Sequence, residues 1–365
     1  MLHFSPTEEQ EEIRSLARSL ATEQLRPQAR LAEKNGDIFP ALMQTLTQTG
    51  LTTPFPELYG GSGSIEAIAY ALIAEEFGFG DGGLATNIIG SIMGPLTVAL
   101  AGNTEQQERY IPPFCDPLAG HTLRGSLAFA EHSGGYSLSD ISATARRNGD
   151  TYILNGSKRN VIHGACSNPR VVLLRIEGTE DLAGLCAFVI PDQLTGLQIN
   201  PDAEKLGLIA APSASYTFNN AVVPAGAMLG EPGNSGVIRA ASLYAILRAG
   251  IACGTARAAL EYASDYAKER VAFGRPIVSY QGIAFMIAET AMKLDAARLL
   301  LWNAATDWDK GVECETLIRD AEAAQHQALK IGQSATIDAL QVMGGAGFMQ
   351  DHPAEMWMRN AAAME

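Results

Sequence analysis

The feature that most constrains this chain is that its periodicity changes twice. From Ser5 to about Leu123 the apolar residues recur at helical spacing; from Gly125 to about Gly233 short β-prone runs replace them; beyond Gly233 helical spacing returns. The runs Tyr152-Ile153-Leu154, Val171-Val172-Leu173-Leu174, Ala187-Phe188-Val189-Ile190 and Tyr216-Thr217-Phe218 are bounded by Gly, Asn, Asp and Pro, as strands are. In the last third Val237, Ala241, Tyr244, Leu247 and Ile251 share one helical face, as do Ile283, Ile287, Ala291 and Leu294. A β insert between two helical regions predicts an α+β fold with segregated layers: residues 1–123 helical, 124–232 β, and 233–365 a helical bundle. At 365 residues, 47% hydrophobic and 18% charged, the chain is large enough for three such units.

Local signals refine this outline. Thr7 and Gln10 have the spacing of a capping box and open the first helix. Pro54, Pro56 and the Gly60-Gly61-Ser62-Gly63 cluster break the first region, and Ile65 to Phe77 resumes a helical pattern. No G-x-G-x-x-G turn follows a strand, which argues against a Rossmann dinucleotide site.

Charge and cysteine content exclude several function classes. A formal net charge of -14 repels a phosphate backbone, so nucleic acid is not an expected partner. Cys115, Cys166, Cys186, Cys253 and Cys314 are far apart and lack paired spacing, which predicts neither a zinc site nor a disulfide framework and suits a reducing cytoplasm. The polar, acidic start is unlike a signal peptide, and no apolar run is read as reaching the ~20 residues that span a bilayer, so no membrane partner is expected.

Several segments, in order, resemble the acyl-CoA dehydrogenase family. They are Pro56-Glu57-Leu58-Tyr59-Gly60-Gly61, Gly149 to Lys158, Glu269-Arg270-Val271-Ala272-Phe273-Gly274-Arg275-Pro276-Ile277 followed by Gln281, and Gln341-Val342-Met343-Gly344-Gly345-Ala346-Gly347-Phe348. The resemblance covers nearly the whole chain. It implies an N-terminal helical domain, a middle β-barrel, and a C-terminal four-helix bundle that pairs subunits, usually as a dimer of dimers. It also implies FAD, an acyl-CoA thioester as substrate, and an electron-transfer flavoprotein as electron acceptor.

By that resemblance Arg270 approaches the FAD pyrophosphate, a role that suits a permanently charged fork of donors. Alone, an Arg after Glu269 reads as a surface ion pair; Phe273, Gly274 and Gln281 at the family's spacing favour the phosphate role. Phe273 is expected to pack on the cofactor. Gly344 and Gly345 let backbone approach a ligand, and Gln341 donates or accepts beside them. In the family these residues reach FAD held mainly by the neighbouring subunit. Arg248 is expected either to bind the acyl-CoA or to form a structural ion pair, and Tyr244 with Phe77 or Phe79 is a candidate pocket liner.

The sequence departs from the family at other positions. The flavin-facing Thr becomes Ala130 and a later Ser becomes Tyr136 within Ala130-Glu131-His132-Ser133-Gly134-Gly135-Tyr136-Ser137. The family's Trp-Ile-Thr-Asn-Gly becomes Asn160-Val161-Ile162-His163-Gly164, which removes a shielding aromatic and a hydrogen-bonding Thr. His132 and His163 read as solvated or locally bonded residues. The usual base, a Glu in a Tyr-Glu-Gly-Thr-like segment beyond the stretch matching Arg359-Asn360-Ala361, is not reached before Glu365. The alternative base position, before Arg248, is Leu247, so no catalytic residue is assigned.

Three functions are compatible with this reading. The first is a FAD-dependent acyl-CoA dehydrogenase subunit, in a homo-oligomer or a hetero-oligomer, with a related partner supplying the base. The others are a flavin oxidase on the same scaffold and a non-catalytic acyl-CoA-binding or assembly subunit.

Overall fold

The computed structural model describes residues 5–63, 65–131, 136–202 and 204–364. His132, read above as solvated or locally bonded, and Glu365 lie outside these.

Among the described residues the N-terminal region holds six α-helices: α1 (Glu8–Leu20), α2 (Arg26–Asn35), α3 (Pro40–Gln48), α4 (Ala67–Gly80), α5 (Gly82–Ala101) and α6 (Thr104–Tyr110). The Thr7 hydroxyl accepts from the Gln10 N–H while the Gln10 side chain reaches back to the Thr7 N–H, so two backbone donors at the helix start are satisfied.

The middle region is one seven-stranded sheet: β1 (Ser126–Ala128), β2 (Thr144–Asn148), β3 (Thr151–Ile162), β4 (Arg170–Ile176), β5 (Leu185–Ile190), β6 (Leu197–Pro201) and β7 (Ser213–Pro224). The order is β1-β4-β2-β3-β7-β6, with β5 antiparallel on β4. Alternate side chains of these strands close on one core that includes Tyr152, Leu154, Val172, Phe188 and Tyr216. All four expected runs fall in strands; β1, β2 and β6 are additional.

The C-terminal region is built on α7 (Ser235–Glu269), a tight hairpin of β8 (Val271–Ala272) and β9 (Arg275–Pro276), then α8 (Gln281–Lys310), α9 (Cys314–Met343) and α10 (Ala354–Ala363). The hairpin corrects the expectation that strands are confined to the middle interval. It forms because Phe273 (φ 50) and Gly274 (φ 84) both adopt the left-handed backbone of a two-residue turn.

Helix α7 is the axis of the molecule, since Leu243, Ile246, Leu247 and Ile251 are buried against helices of both the N- and C-terminal regions. Each such side chain contributes about 1.5–3 kcal/mol when fully buried. Glycines let α4 lie directly on α7: a Cβ at Gly254 would stand 2.0 Å from the Glu75 carbonyl oxygen, and one at Gly78 would stand 2.3 Å from that of Ile251. At this crossing Arg298 Nη2 meets Glu75 Oε1 at 2.9 Å and Arg257 Nη2 meets Glu76 Oε2 at 2.6 Å, so both buried carboxylates are neutralised.

Helices α5 and α7 are long and apolar enough to cross a membrane by length and composition, which corrects the reading that no apolar run reaches that length. Both are buried within the protein, which accounts for their all-round apolar character.

Candidate active site and cofactor recess

A cavity of about 510 Å³ lies where α5, the end of β3, the start of β7, α7 and α10 meet. Tyr244 and Arg248 both line it, together with Tyr136, Asn160 and Ile162. Phe77 and Phe79 do not. Phe77 is in the helical core, and the Phe79 ring lies under the guanidinium groups of Arg18, Arg26 and Arg257. Close packing fixes the walls: a Cβ at Gly207 would meet the Arg359 carbonyl oxygen at 1.9 Å, and one at Gly90 would meet Ile162 Cγ2 at 2.5 Å.

Three cations line this cavity. Lys205 Nζ is saturated by the carbonyls of Leu208 (3.0 Å) and Ala211 and by Ser213 Oγ (3.2 Å). Arg359 is paired with Glu33 and Glu355. Arg248 donates from Nη2 to the Met364 carbonyl, while its Nη1 is buried with no hydrogen-bond partner among the described residues. Among the described residues no carboxylate pairs with Arg248, so the structural ion pair considered for it is not formed.

Aromatic rings enclose that guanidinium. Its central carbon stands 3.4 Å from the centroid of Tyr136, and the Tyr136 ring meets Tyr244 edge-on at 6.2 Å. Burial pushes the Tyr244 hydroxyl far above the usual phenol range, so it remains a hydrogen-bond donor at any ordinary pH.

His163 sits at the end of β3 with positive φ, buried, and its Nε2 pairs with the Asn87 carbonyl at 3.0 Å. Burial lowers its pKa to about 4, so it is neutral, locally bonded and not among the cavity's lining residues.

At the other end of α7, Arg270 lines a separate open recess of about 500 Å³ with Tyr266, Ile277, Gly344, Gly345 and Ala346. Gly344 has φ +58, and nothing stands within 4 Å of a Cβ built on Gly344 or Gly345, so the loop leaves free space for a ligand. Gln281 begins α8 and Gln341 lies in the last turn of α9; both are exposed but do not line the recess. Phe273 is 98% exposed, which places it on the surface and not on any group of its own chain.

Family models match the three regions in turn: the acyl-CoA dehydrogenase N-terminal domain at residues 7–117, the middle domain at 126–221 and the C-terminal domain at 234–365. The acyl-CoA dehydrogenase of Bacillus subtilis (strain 168) is 33% identical over 362 residues, which covers 97% of this chain and 93% of the relative. The chain belongs to the acyl-CoA dehydrogenase family. It is also 32% identical over 364 residues to a 3-(aryl)acrylate reductase of Clostridium sporogenes, covering 97% of this chain and 93% of that one. Among solved structures it is similar to butyryl-CoA dehydrogenase from Megasphaera elsdenii, with a TM-score of 0.84 at 29% identity, covering 100% of this chain and 95% of the other.

Acyl-CoA dehydrogenases are FAD-dependent oxidoreductases, and the recess at Arg270 fits part of that cofactor. It offers a guanidinium, unobstructed glycine backbone and, among its lining residues, no carboxylate, a donor set suited to a pyrophosphate.

The sequence reading missed how Glu131 and Lys158 act. Glu131 accepts from the Ser142 N–H (2.9 Å), the Ala143 N–H (3.1 Å) and Lys158 Nζ (2.6 Å). Lys158 also donates to the Phe129 carbonyl at 3.2 Å, so the pair anchors the segment before the cavity to β2 and β3. A lone Lys in a polar strand gives no signal of burial. The wall role of Tyr136 had only its departure from the family Ser to mark it.

Proposed function

We propose that this chain is one subunit of an acyl-CoA dehydrogenase assembly. It binds an acyl-CoA thioester in the cavity around Tyr244 and Arg248. It presents Arg270, Phe273, Gln281, Gln341, Gly344 and Gly345 to FAD held mainly by a neighbouring subunit.

The observation that carries this reading is a separation along one helix. Arg270 follows Arg248 by 22 residues of α7 and its cap, or ~33 Å at the helical rise. A molecule in the cavity and one at the recess are then separate, which supports assigning the FAD at Arg270 to a neighbouring subunit. Phe273 supports the same reading: a bulky residue at positive φ, wholly exposed, is strained by about 1–3 kcal/mol and gains nothing within its own chain.

The reaction is α,β-dehydrogenation, in which FAD takes the hydride and an electron-transfer flavoprotein takes the electrons onward. The proton acceptor is a group outside the described cavity wall, because none of its lining residues is a carboxylate and Leu247 is buried and apolar. We place that base on a related partner subunit and the assembly in the cytoplasm. Steady-state oxidation of a panel of acyl-CoA thioesters with an artificial electron acceptor tests the proposal. Little turnover by the FAD-saturated chain alone and a large gain on adding a related subunit support it. Turnover of ~1–10³ s⁻¹ by the lone chain rejects the partner requirement.

A second reading, a non-catalytic acyl-CoA-binding or assembly subunit, is favoured by Ala130, Asn160 and Ile162, none of which offers the family's flavin-facing chemistry. Acyl-CoA binding with no turnover in any subunit mixture would select it.

A further inference from the structure

We propose that Arg248 and Tyr244 form a carboxylate-binding subsite inside the acyl cavity, so that the preferred ligand is a thioester whose acyl group carries a carboxylate of its own. This rests on the acyl-CoA reading of the cavity and narrows it to a class of substrate.

Three observations lead there. Arg248 is only 8% exposed, yet its Nη1 has no hydrogen-bond partner among the described residues. Leaving a buried guanidinium donor unpaired is costly, and the usual compensation is an anion. Stacking on Tyr136 attracts the charge through the ring face but leaves the in-plane N–H groups of Nη1 unsatisfied.

The other two cations do not share this need. Lys205 has three acceptors for its three protons, and Arg359 bonds to Glu33, Glu355 and the Leu206 carbonyl. Among the described residues that line the cavity, the one unspent charge is therefore that of Arg248.

Tyr244 supplies a second donor. No hydrogen bond holds its hydroxyl among the described residues, and burial keeps it protonated. The ring centroid is 6.0 Å from the Arg248 guanidinium carbon, so one carboxylate can take an N–H from Arg248 and the O–H from Tyr244. The depth of Arg248 selects the acyl end of the ligand over the nucleotide end, because the phosphates of CoA would have to shed their hydration to reach a residue this enclosed.

The test is calorimetric titration of the full-length, FAD-saturated protein with two thioesters of equal acyl length, glutaryl-CoA and pentanoyl-CoA. Charge-assisted hydrogen bonds predict that the parent binds glutaryl-CoA about tenfold or more tightly. Arg248→Gln should lower the affinity for glutaryl-CoA far more than that for pentanoyl-CoA and so abolish the preference, Arg248→Lys should keep part of it, and Tyr244→Phe should reduce it. Melting temperatures of the variants report folding. A parent that binds both thioesters equally, or an Arg248→Gln variant that weakens both alike, overturns the subsite while leaving the acyl-CoA reading intact. Failure of the parent to bind either thioester overturns both.

Discussion

Lys158 Nζ lies 2.6 Å from Glu131 Oε1 inside the β region, where neither side chain has appreciable contact with water. Burial pushes the Glu131 carboxyl up, but the Lys158 charge and the bonds from Lys158 and Ser142 hold it below its ordinary range. Removing one partner strands the other, so Lys158→Met should cost about 3–5 kcal/mol. The double variant Lys158→Met with Glu131→Gln should recover part of that loss. Urea denaturation of the three proteins measures the difference.

Two buried groups should give opposing pH dependences. His163 has a folded pKa of about 4, depressed by burial below its unfolded value, so its contribution is present above pH ~6.5 and is lost as pH falls toward 4. Asp81, the N-cap of α5, has a folded pKa raised by burial to about 6, so its contribution is present below pH ~4 and is lost as pH rises through 6. Each is worth about 3 kcal/mol. Relative to the parent, His163→Asn should therefore be stabilised at pH 4.5 compared with pH 7.5, and Asp81→Asn should be stabilised at pH 7.5 compared with pH 4.5. Denaturant midpoints at the two pH values check both signs.

The α4 and α7 crossing tolerates no side chain at Gly254, where a Cβ would stand 2.0 Å from the Glu75 carbonyl oxygen. Gly254→Ala should cost about 1–3 kcal/mol despite its higher helix propensity, because the helices must separate. Gly282→Ala, with nothing within 4 Å of its Cβ in the first turn of α8, should be neutral or mildly stabilising. Thermal unfolding of the pair separates packing from propensity.

Phe273→Asn should raise the stability of the isolated chain by about 0.5–1 kcal/mol, since Asn-Gly suits a turn with two positive φ angles better than Phe-Gly. The same change should lower flavin retention in the assembly. Opposite signs in these two measurements identify a residue kept for contact and not for folding.

Arg270→Ala should reduce flavin retained through purification more than Arg248→Ala does, because only Arg270 lines the glycine-walled recess. The ratio of flavin to protein absorbance is the readout, and equal losses would remove the pyrophosphate assignment.

Much of this molecule is legible in the sequence, for identifiable reasons. Long apolar runs such as Val171 to Leu174 mark strands buried on both faces. By contrast Thr144–Asn148 and Leu197–Pro201 are mostly polar or exposed, and Ser126–Ala128 is too short to show a period. Phe77 and Phe79 line no part of the cavity; α4 is buried nearly all round, so its pattern cannot say which face meets the cavity. The segments that line the recess, at Arg270 and at Gly344 and Gly345, were recoverable from contiguous motifs. The contact of Tyr136 with Arg248 was not, because it joins a loop to a helix far away in sequence and no local pattern encodes it.

The ~33 Å between Arg248 and Arg270 along α7 has a thermodynamic consequence. If each FAD is gripped by two chains, cofactor affinity depends on protein concentration, and subunit association depends equally on flavin supply. Dilution would then strip the cofactor from an intact polypeptide, and flavin starvation would dismantle the oligomer before any chain unfolds. In such a protein the vitamin level of the cell is read out as quaternary structure.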